Sequence, residues 1–196
     1  FMNLIDTPGS PDFTGRSVSV LPAVETAAIV VNAQTGVDTV VQKMMECAAA
    51  LGLCRIVVVN RIDADGEHLR NVVDQLREQF GPQCLPLNLP ADQGKTVADC
   101  FFELSDKRPD FSSVKAAHTE IVDQVVELDE ALMAKYLEQG EELTVEQLHD
   151  PFETALRAGH LVPICFVSAQ TGSGVRQLLN IFARLMPNPH EGNPPV

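Results

Sequence analysis

Three apolar runs constrain the fold of this chain more than any other feature. Thr26 to Ala33 (TAAIVVNA), Arg55 to Asn60 (RIVVVN) and Val162 to Ala169 (VPICFVSA) are each of strand length and lack polar alternation. Such a run reads as a strand buried on both faces of a parallel sheet, because a strand with one wet face alternates. Helical spacing follows each of them. Val37, Val40, Val41, Met44, Met45, Ala48 and Leu51 follow the first, and Leu69, Val72, Val73 and Leu76 the second. Val175, Leu178, Leu179, Phe182 and Leu185 follow the third. Residues 2–5 read as one more strand and 11–20 as a helix. Strands alternating with helices predict an α/β fold, a parallel sheet covered on both sides.

The region from about Pro86 to His160 interrupts this alternation. It opens with a broken stretch that can supply short strands. One long helix is then expected, with Ile121, Val122, Val125, Val126, Leu132, Met133, Tyr136 and Leu137 on one face and Glu120, Asp123, Glu127 and Glu138 on the other. The acidic face is either a solvated surface or a docking face for a partner. Thr144 and Gln147 fit a capping box that starts the next helix. The proline-rich end, MPNPHEGNPPV, reads as the start of an interdomain linker, and both ends look like interior points of a longer protein.

Charge and cysteine usage narrow the function classes. A formal charge of −13 repels a phosphate backbone, so direct nucleic-acid binding by this chain is not expected. No apolar run is long enough to span a membrane. The five cysteines form no CxxC pair, and all but Cys100 sit in or beside apolar segments, which predicts buried, reduced thiols in a cytoplasmic protein. The histidines show no HxxxH or HExxH spacing, so no zinc site is expected.

Ligands of open α/β sheets bind at the carboxyl ends of the strands, and three such ends carry polar signatures. Asp6-Thr7-Pro8-Gly9 follows residues 2–5. An Asp there can hold Mg²⁺ through water and a Gly can bring its N–H to a γ-phosphate, although a plain strand-end turn explains the motif equally well. Asn60-Arg61-Ile62-Asp63 follows the second run. A carboxylate can accept two hydrogen bonds from the N1–H and N2–H₂ of guanine, which adenine does not offer. Arg61 can stack on the purine, and Asn60 can tie neighbouring loops together. NxxD is also common in turns. Ser168-Ala169 closes the third run, where a backbone N–H can meet the guanine O6.

The order DxPG, N(K/R)xD, SA, each after an apolar strand, resembles the G domain of bacterial elongation factor G and of elongation factor G-like translational GTPases. The likeness extends over nearly the whole chain: DTPGSPDFTG resembles the third GTPase motif and switch II, VVVNRID the fourth motif and VSAQTGSGV the fifth. LDEALMAKYLEQGEELT resembles the G′ insert of that group. The resemblance implies a P-loop GTPase-type three-layer fold, with residues 1–85 and 161–187 as GTPase core, 86–160 as an inserted α+β G′ subdomain and 188–196 as linker. It also implies GTP or GDP with Mg²⁺, hydrolysis coupled to the ribosome, and the insert as a contact for the ribosomal stalk protein. Asp6 and Gly9 would then serve metal and phosphate, and Asn60, Arg61, Asp63, Ser168 and Ala169 the base.

Two departures qualify the expected activity. The family's phosphate loop, GxxxxGK[ST], occurs nowhere in the 196 residues, and the strand that precedes it in the family is central to the sheet. A fragment without its first strand is expected, inactive as a GTPase, with bare sheet edges that invite re-pairing of the flanking strands or a non-native dimer. Ser10 stands where the family has a histidine that positions the attacking water, and it fits a helix N-cap followed by Pro11 at the first helical position. That substitution leaves open a nucleotide-sensing or stalk-binding module with little catalysis.

Overall fold

The computed structural model describes residues 2–64, 68–139 and 143–190, with the side chains of residues 137–139 and 145 excepted. β2 (Cys54–Asn60) organises the sheet. It pairs in parallel with β1 (Thr26–Asn32), Thr26 opposite Cys54 and Asn32 opposite Asn60. On its other side it pairs with β6 (Val162–Phe166), which pairs in turn with β3 (Cys84–Pro86). The result is a four-stranded parallel sheet in the order β1-β2-β6-β3.

Alternate residues of the central strands feed two separate cores. Val57, Val59, Ile164 and Phe166 face α2 (Thr39–Ala50) and α3 (Leu69–Phe80), meeting Met45, Leu69, Val72, Val73 and Leu76. Ile56 and Cys165 face the opposite layer, with Ile121, Val125, Leu148, Phe152 and Ile181. That layer holds α4 (Val114–Val126), α6 (Val145–Arg157) and α7 (Val175–Leu185). Each fully buried Val, Ile or Leu contributes about 1.5–3 kcal/mol, which is why the apolar runs dominate the fold. Asp38 caps α2 through Val41 N–H at 2.8 Å, and Thr144 with Gln147 forms the capping box of α6. α5 (Glu130–Gln139) lies between α4 and α6 in the chain.

Between β3 and α4 the chain makes a small antiparallel sheet, β4 (Asn88–Ala91) with β5 (Thr96–Asp99). The buried Asn88 side chain fixes it to β6: its amide donates to Phe166 O at 3.1 Å, and its Oδ1 accepts from Phe166 N–H at 2.7 Å. Both polar ends of Asn88 are thereby satisfied inside the core.

Several expectations need correction. Residues 2–5 are not a strand: Met2, Leu4 and Ile5 are 42%, 69% and 53% exposed, and among the described residues none of 2–7 bonds through its backbone to β1. A strand is held by its neighbour, and this segment has none. The expected re-pairing of residues 2–5 with β1 is not seen among the described residues. β1 is buried on one face only, with Ile29 and Val31 inside and Val30 61% exposed, so the expected burial on both faces does not hold for this run.

The long helix is two. α4 ends at Val126, and Asp129 restarts the chain by accepting the N–H groups of Ala131 and Leu132 at 2.9 and 3.0 Å. Of the residues expected on its faces, the side chains of Leu137 and Glu138 lie outside those described. On α7, Leu179 points out and Ile181 points in. Cys100, expected to be the exception among the thiols, is fully buried, while Cys47 is half-buried. All five cysteines are free. No helix of the described residues is long and apolar enough to cross a membrane.

Candidate functional site

The polar ends of β2 and β6 meet because the strands are neighbours in register, Val59 opposite Phe166. Val167 N–H donates to Val59 O at 2.9 Å and Ile62 N–H to Val167 O at 3.3 Å, so the two loops leave the sheet laced together. Asn60 completes the lacing from its side chain. Its Oδ1 accepts from Arg61 N–H at 2.8 Å and from Ala169 N–H at 3.0 Å, across 109 positions of sequence. Its carbonyl accepts from Ala33 N–H at 2.9 Å, which draws in the end of β1.

The residues after Asn60 face different ways. Arg61 adopts a left-handed φ of 69° and is exposed, a conformation that turns the chain sharply at some steric cost. Ile62 is fully buried and anchors the turn in the α3-side core. Asp63 is half-buried, and its Oδ1 is sealed from solvent with no hydrogen-bond partner among the described residues. A buried carboxylate oxygen without a donor is costly, so its position calls for a ligand bearing N–H groups.

Ser168 is fully buried and shapes the loop that follows β6. Its N–H donates to Ser173 O at 2.8 Å, its hydroxyl accepts from Thr171 N–H at 3.1 Å, and its carbonyl accepts from Gly172 N–H at 2.8 Å. Gly174, at φ 72°, closes the loop before α7; a methyl group there would press on Phe166 O and stand 3.2 Å from Val167 Cα. Both N–H groups of the Ser168-Ala169 pair are therefore engaged within the protein. An incoming carbonyl oxygen would compete with Asn60 Oδ1 for Ala169 N–H.

Asp6, Gly9 and Ser10 sit apart from this corner in character: all three are exposed. The segment is held to α1 (Thr14–Val20) by the Ser17 hydroxyl, which donates to Pro8 O at 2.8 Å. Ser10 occupies the N-cap position of a short 3-10 turn, Pro11–Phe13, with Pro11 at its start. Its hydroxyl makes no cap bond, and Phe13 N–H bonds instead to the Ser10 carbonyl at 3.0 Å.

The residues present fit a guanine base better than they fit the rest of a nucleotide. Asp63 Oδ1 is an orphaned acceptor, and Arg61 is a planar cation at the same loop. For Mg²⁺ the leading segment offers the exposed carboxylate of Asp6, and the described residues contain no cluster of three metal-ligating side chains. An octahedral ion there would draw its other ligands from phosphate oxygens and water. Gly94 is a member of this corner that the sequence did not flag. It lies in the β4–β5 turn with its Cα against the Ile62 carbonyl, and the only local signal is the turn-forming Asp92-Gln93-Gly94.

Comparison with known proteins gives one consistent neighbourhood. The family model described as elongation factor Tu GTP binding domain matches residues 1–188. The chain is 29% identical to an elongation factor G-like protein of Mycobacterium tuberculosis, over 97% of this chain and 28% of that one. It is 28% identical to peptide chain release factor 3 of Streptococcus thermophilus, over 96% and 37% of the two chains. It is 29% identical to an oxytetracycline resistance protein of Streptomyces rimosus, over 96% and 28%. A crystal structure of a Thermus thermophilus protein superposes with a TM-score of 0.79 at 33% identity, over 95% of this chain and 30% of that one. The chain thus spans roughly a third of the length of these relatives.

Proposed function

The chain belongs to the elongation factor Tu GTP binding domain family, and on that premise we propose that it supplies the guanine-reading part of a translational GTPase. The P-loop GTPase-type fold, a parallel sheet between helical layers, agrees with the structural match. The observation that carries the reading is Asp63 Oδ1, sealed from water and without a donor among the described residues, beside a loop pair laced by Asn60.

In this reading Asp63 accepts N1–H and N2–H₂ of guanine, and each such charge-assisted bond is worth about 1.5–3 kcal/mol. Adenine has no matching donor pair, and its own N6 amine faces nothing built to receive it. Arg61 lays its guanidinium on the purine. Ala169 N–H passes from Asn60 Oδ1 to the guanine O6, with Ser168 holding the loop in shape. Asp6 and Gly9 belong to the phosphate end, Asp6 toward Mg²⁺ through water and Gly9 through its N–H. Mg²⁺, when bound, neutralises charge on the phosphate oxygens.

GTP hydrolysis coupled to the ribosome is the activity of the parent protein, not of this chain, which carries no GxxxxGK[ST] sequence. Ser10 has no imidazole and does not position water as a histidine does. The core is assigned to residues 1–85 and 161–187, the G′-like insert to 86–160 and the linker to 188–196, of which 191–196 lie outside the described residues. The parent is a cytoplasmic protein, and α4 offers the stalk protein an acidic surface. There Glu120 bonds Arg77 at 2.7 Å and Asp123 accepts the Tyr136 hydroxyl at 2.9 Å. A groove of about 290 Å³ runs beside them, lined also by Leu85, Gln124 and Glu127. Ser10 favours a second reading, a nucleotide sensor with little turnover.

Calorimetric titration of the chain with GDP and, in parallel, ADP tests the base-reading role. Heat from GDP and none from ADP is the expected result. Equal binding of both, or of neither, overturns the guanine pocket in this chain.

A further inference from the structure

The turn between β4 and β5 is built at an unusual backbone cost. Asp92, Gln93 and Gly94 all take positive φ, at 54°, 58° and 75°. Two consecutive non-glycine residues in that region are sterically unfavourable, so something must hold them. Thr96 contributes, its hydroxyl donating to Asp92 Oδ2 at 3.0 Å. The main restraint comes from Asp110. Its two carboxylate oxygens each take one turn N–H, Oδ1 from Gln93 at 2.9 Å and Oδ2 from Gly94 at 2.8 Å. Asp110 is itself fixed, because its own N–H donates to Pro90 O at 2.8 Å and its neighbour Pro109 bridges Ala91.

What the clasp presses against is the loop after β2. A methyl group at Gly94 would strike the Ile62 carbonyl oxygen and stand 2.7 Å from its carbonyl carbon and 3.4 Å from Asp63 N. No side chain fits between the turn and the Ile62–Asp63 peptide. From this geometry we infer that Asp110 is a positioning residue for base selection: by clasping Gly94 it sets the height of the Ile62–Asp63 peptide and so aims the Asp63 carboxylate. The inference rests on the guanine reading for its functional meaning and on the clasp itself for its structure. It places a determinant of base choice outside the loops that follow β2 and β6.

Two readouts on the intact 196-residue chain test it. The first is amide hydrogen exchange at Ile62, whose N–H bonds to Val167 O, followed by NMR without nucleotide. Asp110→Ala is expected to cost Ile62 about tenfold or more in protection while the β2 and β6 amides keep theirs, and Asp110→Asn, which retains one acceptor, should fall between. The second is the ratio of GDP to IDP affinity, since hypoxanthine lacks the exocyclic amine and offers Asp63 one donor instead of two. Asp110→Ala is expected to reduce that ratio by about tenfold, the worth of one such bond. Gly94→Ala should act in the same direction, with Asp110→Ala as the milder variant if it fails to fold.

Unchanged Ile62 exchange overturns the inference, as does a uniform loss of protection across the sheet or an equal loss of GDP and IDP affinity. If the unsubstituted chain binds neither nucleotide, the guanine reading falls with the proposed role in selection. The exchange arm then still decides whether Asp110 holds the loop.

Discussion

Asn60-Arg61-Ile62-Asp63 leaves a strand that is hydrogen-bonded on both sides, whereas Asp6-Thr7-Pro8-Gly9 leaves a segment that has no sheet neighbour. Both are polar signatures after a short apolar run. The first is drawn into a corner where Asn60, Ile62, Val167 and Ala169 bond to one another and one carboxylate oxygen is sealed from water. The second is exposed from Met2 to Asp6 and tied back, among the described residues, by the Ser17 hydroxyl. The difference lies in pairing and not in the motifs. A strand-end loop becomes a site when the strand beneath it is fixed, because only then do its donors and acceptors have fixed directions.

The largest effect that tests this contrast is on nucleotide affinity. Asp63→Ala is expected to weaken GDP binding roughly 100-fold or more, since it removes the acceptor of two charge-assisted hydrogen bonds. Asp6→Ala, on the unpaired segment, should change the same affinity by no more than about twofold. Calorimetry of the two variants side by side checks both, and a comparable loss in each would mean that the leading segment is already placed against the ligand.

A second test asks the same question within one strand. Val31 and Val30 are adjacent on β1, one fully buried in the α3-side core and the other 61% exposed. Val31→Ala should cost about 2–3 kcal/mol of unfolding free energy from lost burial and the cavity left behind. Val30→Lys should stay within about 0.5 kcal/mol. Urea denaturation measures both. A large cost at Val30 would show that another surface covers that face in solution, as packing of a second copy against it would.

These contrasts explain what could be read in the chain and what could not. The three apolar runs and the stripes of α2 and α3 were legible because helical and strand periods are local and every one of Leu69, Val72, Val73 and Leu76 is buried as its spacing predicts. Pairing is not local. Residues 2–5 carry strand-like composition, yet their sequence does not state whether a pairing neighbour is present, and the β1 run suits burial on two faces without stating whether a layer covers both. The break between α4 and α5 had a signal in Asp129, whose carboxylate caps the second helix, but an apolar stripe continuing through Leu132 outweighed it. Cys100 stands apart in the sequence because it lies in no apolar run; α4 covers it, with His118 Nδ1 2.9 Å from its carbonyl oxygen. In the base-reading corner the residue types were legible. The Asn60–Ala169 bond and the support of Ile62 by Gly94 depend on sequence separations of 109 and 32 positions, which no spacing rule reaches.

The smallest expected effect asks how far the support of that corner extends along α7. His149, on α6, places Nε2 2.8 Å from Arg184 O near the end of α7 and Nδ1 3.2 Å from Asp150 Oδ1. The Asp150 hydrogen bond chiefly raises its pKa above the ordinary 6.5; partial burial opposes this, while the Arg184 carbonyl and the Asp150 and Glu153 charges add to it. A cation with a raised folded pKa stabilises the fold fully below the unfolded value and loses that contribution as pH rises through the folded one. The stability difference between the unsubstituted chain and His149→Ala should therefore be largest below about pH 6.5 and shrink by pH 8. The imidazole is about half exposed, so the pH-dependent part should stay below roughly 0.5 kcal/mol. Thermal unfolding of both chains from pH 5.5 to 8 measures it. A difference that does not change with pH would mean that His149 ties α6 to α7 as a neutral ring, through the Arg184 carbonyl alone.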